Sequence, residues 1–270
     1  MKSVFDRDQL ARRFVVETWL GEYAPILDQL IKDEPTGKMF GILLAERSDD
    51  LLMDEVEDTS HESSLISPIG KGREDLVLLK AFSGQVRGVW TRPSWAPSLL
   101  DHGSIAGESW RAQRILHRLT YEINTVSAEL KEMSDRRLEG RAEELRLHIK
   151  NVKRYRGELS RRHADTIRSH TYLQSFQGER CSLSSIWPQA PTGVGECCAP
   201  KLISLAHSLH LKPVGIAEFW WGPPPKVLPA EELECFLYPG HLDSQVLRFY
   251  APCERRCQTL LPYLLGHSKV

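Results

Sequence analysis

The residues best suited to chemistry are cysteines in the last third of the chain. Cys253 and Cys257 lie four apart, so on a helix their sulfurs share one face. Cys197 and Cys198 open an apolar helical run, where the unpaired amides of a helix start favour a thiolate. Two helix starts carrying thiols, joined by a strand, could supply three or four ligands to one Zn²⁺. Free cysteine is also a small buried hydrophobe in many cores, and Cys-x3-Cys is a weaker metal signature than Cys-x2-Cys. Spacing alone leaves both readings open.

Two carboxylates accompany the thiols. Glu196 directly precedes Cys197, and Glu218 interrupts an apolar strand beside Phe219, Trp220 and Trp221. A carboxylate at Glu218 must be paired, for instance with Lys201, or must face a cleft as a site residue. Trp220 and Trp221 point to opposite faces of their strand, which suits core packing, or stacking of one of them on a base. His207 and His210 are three apart on a helix, as surface residues or as ligands. Gly193 and Gly195 form a loop before a helix N-terminus that could hold a phosphate. No Walker loop, Rossmann fingerprint or zinc-protease motif occurs.

The elements that must position these residues fall into three parts, giving an α+β class. Residues 1–103 form a mixed N-terminal part. It has a helix over Asp8–Leu30, a turn at Pro35-Thr36-Gly37, strands over Lys38–Glu46 and Asp75–Gly84, and an acidic, Ser-rich loop over Ser48–Ser67. Residues 104–169 form a long helical stretch without proline. Ile115, Leu119, Ile123, Val126, Leu130 and Met133 make a narrow coiled-coil-like stripe that slips near Leu138 and Gly140. The slip fits a stutter in one helix or the turn of a helical hairpin, with the hairpin slightly preferred. A single helix would need a partner over its stripe, so a homodimer through 108–160 is one expectation. Residues 170–270 form a compact α+β domain. It has a hairpin over Thr171–Trp187 around Gly178, a helix over Cys197–Leu209, strands over Pro213–Trp221 and Val246–Tyr250, and a closing helix over Cys253–Leu265.

The end of the helical stretch is basic. Arg154, Arg156, Arg161 and Arg162 stand among Arg146, Lys150, Lys153 and Arg168, with Glu158 and Asp165 opposing them. Such a strip is a solvated helix face or a contact for RNA phosphates. The net charge of the 270-residue chain is -1, so any attraction to nucleic acid must come from a local patch of this kind. No apolar run is long enough for a transmembrane helix, and the N-terminus lacks the apolar stretch of a secretory signal. The chain is therefore expected in the cytoplasm, or in an organelle stroma, with its six cysteines reduced or metal-bound and no membrane contact.

The motifs of the last part carry a resemblance. Pro191-Thr192-Gly193-Val194-Gly195-Glu196-Cys197-Cys198-Ala199-Pro200-Lys201-Leu202 is followed by Lys212-Pro213, Ala217-Glu218-Phe219-Trp220-Trp221-Gly222, and Phe249-Tyr250-Ala251-Pro252-Cys253 with Cys257. This succession resembles the non-catalytic N-terminal region of long RluA-like RNA pseudouridine synthases. Gly37-Lys38-Met39-Phe40-Gly41 and Ala81-Phe82-Ser83-Gly84 agree with it. The resemblance implies association with RNA modification, on tRNA or rRNA, through the strip and Lys201, and not the isomerisation itself; a separate chain carrying a catalytic domain is one expected partner. The family's catalytic aspartate sits in a His-Arg-Leu-Asp motif. The nearest match here, His241-Leu242-Asp243-Ser244, lacks the arginine and is assigned no catalytic role.

A second likeness comes from element order. A hairpin, a helix with a thiol at its start, a strand, then Pro252-Cys253 at a helix start resembles zinc-dependent nucleobase deaminases. In that reading Cys197 or Cys198 replaces a histidine ligand, Cys253 and Cys257 complete the set, and Glu196 or Glu218 carries the proton. The second cysteine pair has one residue too many for that pattern, and the glutamate falls before the thiol rather than two after it. A third reading is a scaffold that dimerises through the coiled stretch.

Overall fold

A computed structural model describes residues 4–47, 63–69, 75–135, 139–223, 232–237, 246–253 and 256–266. The class is α+β, with two compact units: residues 1–100 together with 172–270, and residues 101–171. The first and last parts of the sequence thus share one unit, because their strands pair in one sheet.

The sheet has six strands in the order β2-β3-β1-β6-β8-β7, every neighbouring pair antiparallel. β1 is Lys38–Arg47, β2 Ser67–Pro68, β3 Leu76–Phe82, β6 Leu211–Trp221, β7 Glu232–Leu237 and β8 Val246–Tyr250. The two central strands, β1 and β6, read as nearly continuous apolar runs because both faces of the sheet are covered. On one face Phe40, Ile42, Leu44, Ala217, Phe219 and Trp221 pack under α1 (Val4–Phe14) and α2 (Leu20–Ile31), which a π-helical segment, Val15–Trp19, joins. On the other, Leu43, Ala45, Val77, Leu79 and Ala81 pack against Cys198, Leu202 and Leu205 of α6 (Cys198–Ser208). The β1–β6 register shifts at Leu44/Ala45, and the Ile216 amide next to the shift donates to Asp8 Oδ1 of α1 at 3.1 Å.

A two-stranded hairpin, β4 (Tyr172–Gln174) with β5 (Arg180–Ser182), turns at Gly178 and stands apart from the large sheet. With the short α5 (Leu183–Ile186) and α7 (Cys257–Leu264) it encloses a third core of Leu173, Leu183, Ile186, Leu260, Tyr263 and Leu264. α7 starts four residues later than the sequence suggests, leaving Cys253 just ahead of the helix.

The unit over residues 101–171 is a helical hairpin of α3 (His102–Asp135) and α4 (Glu139–Ser169). Asp101 caps α3 by accepting the Ser104 amide at 3.1 Å and its hydroxyl at 2.6 Å. Polar links run from Glu108 to Thr166, Thr120 to Arg156, Glu122 to His148 and Glu129 to Arg141. Partners rise along α3 as they fall along α4, so the helices are antiparallel. Ile105, Ala112, Ala142, Leu145 and Ile149 are buried, whereas in the α3 stripe Leu119, Ile123, Val126, Leu130 and Met133 are half-buried and Ile115 is exposed. The acidic loop over 48–62 and the His241–Ser244 segment lie outside the described residues.

Candidate metal centre

Strand β8 ends at Tyr250 and delivers Cys253 to the N-terminal end of α6. Cys197 is the residue before α6, in extended conformation, and its side chain caps no helix amide. Cys257 is the first residue of α7 and is buried. The sulfurs of Cys197, Cys253 and Cys257 all lie within 4.8 Å of one another. Cys253 Sγ and Cys257 Sγ are 3.4 Å apart, and the Cys257 amide points at Cys253 Sγ, also at 3.4 Å. Three convergent thiols at two helix starts are a donor set that could hold a thiophilic metal ion.

The thiols share protons unequally. Hydrogen bonds with Cys197 and Cys257 hold the Cys253 thiol well below its ordinary pKa. The same sharing raises Cys197 and Cys257. Metal binding would need the thiols to release protons, so affinity would rise with pH.

Glu218 is the buried carboxyl beside this centre. It sits mid-β6, between Gly41 of β1 and Tyr250 of β8, on the face toward α6. Its Oε1 accepts the Ala199 amide at 2.9 Å. Burial raises its pKa to about 7; the Ala199 bond opposes the rise and the negative charge at Cys253 adds to it.

Several residues singled out by sequence stand elsewhere. Cys198 is outside the trio: its Sγ points at Met39 O (3.5 Å) and Ala81 O (3.7 Å) in the core under α6, so the buried-hydrophobe reading describes it. Lys201 does not reach the surface to meet RNA. It is buried, ion-paired with Glu196 Oε2 at 3.1 Å, donates to Phe82 O at 3.2 Å, and lies over the Phe82 ring. Glu196 also accepts from the Ser98 hydroxyl (2.7 Å) and the Leu100 amide (3.1 Å), which hold its carboxylate in a buried polar network. Lys201 therefore pairs with Glu196 and not with Glu218. Sequence reading missed this network, since Ser98 lies 98 residues from its partner. Trp221 is buried and donates to Asp28 Oδ1 at 2.9 Å; Trp220 donates to Pro223 O at 2.9 Å. His207 packs edge-on against Phe176 and lies near the C-terminal end of α6, the opposite end from Cys197.

On α4, Arg154, Arg161 and Arg162 are exposed, and so are Lys150 and Lys153. Arg156 turns to α3 and donates to Thr120 Oγ1 at 2.9 Å, Arg146 pairs with Glu143 and Arg168 with Asp165. The deaminase-like order of elements is also interrupted, because β7 and β8 enter between β6 and α7. Among the described residues, no helix is long and apolar enough to cross a membrane. Compared with known proteins, the chain matches no family model, no curated protein and no solved structure.

Proposed function

We propose that this chain is an RNA-associated accessory region of the RluA type, with a zinc-thiolate centre in its sheet unit and an RNA contact on its helical hairpin. The observation that carries the RNA contact is the flank of α4. Lys150, Lys153, Arg154 and Arg161 recur at helical spacing, are exposed, and have no ion-pair partner among the described residues. A strip of this kind recognises phosphate charge rather than sequence. The motifs around Cys197, Glu218 and Cys253 supply the family link. Zinc suits three thiolates, and its role here is to tie the start of α6 to the start of α7. The isomerisation itself belongs to the catalytic domain of that family, acting on tRNA or rRNA in the cytoplasm or an organelle stroma.

The test is RNA binding by the full chain as salt is varied. Arg154→Ala, Arg161→Ala and Arg162→Ala together should lower affinity and reduce the salt slope by roughly 2, about 0.7–0.9 for each phosphate no longer neutralised. Unchanged binding removes the strip from the account.

Glu218 favours a second reading, a deaminase-like hydrolytic centre. A buried carboxyl that titrates near neutrality beside three thiols is suited to exchange protons with a reacting water. A bound zinc would supply the activation of that water. Glu218→Gln would then abolish nucleobase turnover while leaving metal bound, and a wild-type chain inactive on cytosine and adenine nucleotides with zinc in place rejects the reading.

A further inference from the structure

The outward face of α3 carries a second, chemically different surface. Trp110, Arg114, His117, Arg118 and Tyr121 follow at i, i+4, i+7, i+8 and i+11, on the side away from buried Ala112. All five are exposed. Trp110 is 58% and Tyr121 74% exposed, large aromatic surfaces to leave in water. No Asp or Glu occurs from Ser109 through Tyr121. The Arg114 guanidinium lies 4.6 Å from the Trp110 ring centroid, steadying the indole against the helix.

We propose that this face binds single-stranded RNA, with separate bases stacking on Trp110 and Tyr121 and the backbone running past Arg114 and Arg118. Positive charge selects an anionic partner, and exposed flat rings interleaved with that charge select one with free bases. A duplex keeps its bases stacked internally and would use the arginines alone. Eleven residues of helix separate the rings by roughly 16 Å, at about 1.5 Å per residue, so they would take bases that are not neighbours. This surface rests on the RNA reading above and adds a binding mode that the α4 strip lacks.

The experiment measures the anisotropy of fluorescein-labelled oligouridylate with the full chain over a range of salt. The Trp110→Ala/Tyr121→Ala variant should bind the single strand at least ~10-fold more weakly, with its salt slope unchanged, since the variant removes stacking and leaves the phosphate-binding arginines in place. Its affinity for a duplex of equal length should match wild type. Arg114→Gln/Arg118→Gln should weaken binding and lower the slope by about 1.4. The replaced side chains are exposed, and far-UV helicity checks folding of both variants. If the aromatic variant binds the single strand like wild type while the α4 triple variant weakens, the α3 face is rejected and the RNA reading stands. If wild type binds no RNA, both fall.

Discussion

Glu218 Oε1 accepts the Ala199 amide at 2.9 Å, so a carboxyl on a central strand caps the helix that follows Cys197 of the thiol trio. Cys197 occupies the N-cap position yet leaves the helix amides unserved. Glu218 fills that role from the sheet, which frees the sulfur to face Cys253 and Cys257.

This capping has a pH signature. Burial lifts the Glu218 pKa from 4.5 to about 7, so the folded chain keeps a proton that the unfolded chain releases. Its contribution to stability is complete below the unfolded value, falls as pH rises through that window, and is lost above about 7. Gln keeps the acceptor for Ala199 without the charge. Urea midpoints should therefore match for wild type and Glu218→Gln near pH 4 and favour the variant increasingly up to pH 8. A constant difference across that range contradicts the assignment.

Gly41 sets how closely α6 approaches the sheet. A Cβ there would stand 2.6 Å from Cys198 Cβ and 3.3 Å from Leu202 Cδ1. Gly41→Ala should destabilise the chain by about 1–3 kcal/mol through overpacking, seen as a lower thermal midpoint. Cys198→Ala leaves the trio intact and should keep any bound metal.

Lys201 and Glu196 form a buried pair whose parts cannot be removed singly without cost. Lys201→Met leaves Glu196 facing only Ser98 and Leu100, and should cost about 3–5 kcal/mol in chemical denaturation. Adding Glu196→Gln should recover part of that loss. RNA affinity per folded molecule should not change, since Lys201 is enclosed.

Sequence patterning located β1, β3, β6 and β8 to within a few residues because apolar runs bounded by turns are local signals. It did not reveal that the first and last parts share a sheet. The β1–β6 pairing joins Gly41 to Glu218 across more than a hundred residues, and nothing local specifies such a register. Adjacent cysteines hid a division of labour for a related reason. Cys197 itself is in extended conformation while Cys198 begins a helix, so their side chains diverge toward the trio and the core. Lys201 looked available for RNA by residue type, and only its distant partners Glu196 and Phe82 O show it enclosed. The α3 face was legible in the 109–121 spacing, but the narrow stripe on its other side drew the reading.

The accessory reading and the hydrolytic reading share one claim, that Cys197, Cys253 and Cys257 hold a metal ion. The most direct measurement is metal content by mass spectrometry after chelator-free, reducing purification, for wild type and for Cys253→Ser/Cys257→Ser. The account predicts about one zinc per wild-type chain and none in the double variant. Wild-type protein that is folded and zinc-free, and that takes up none when zinc is added at neutral pH, would contradict it.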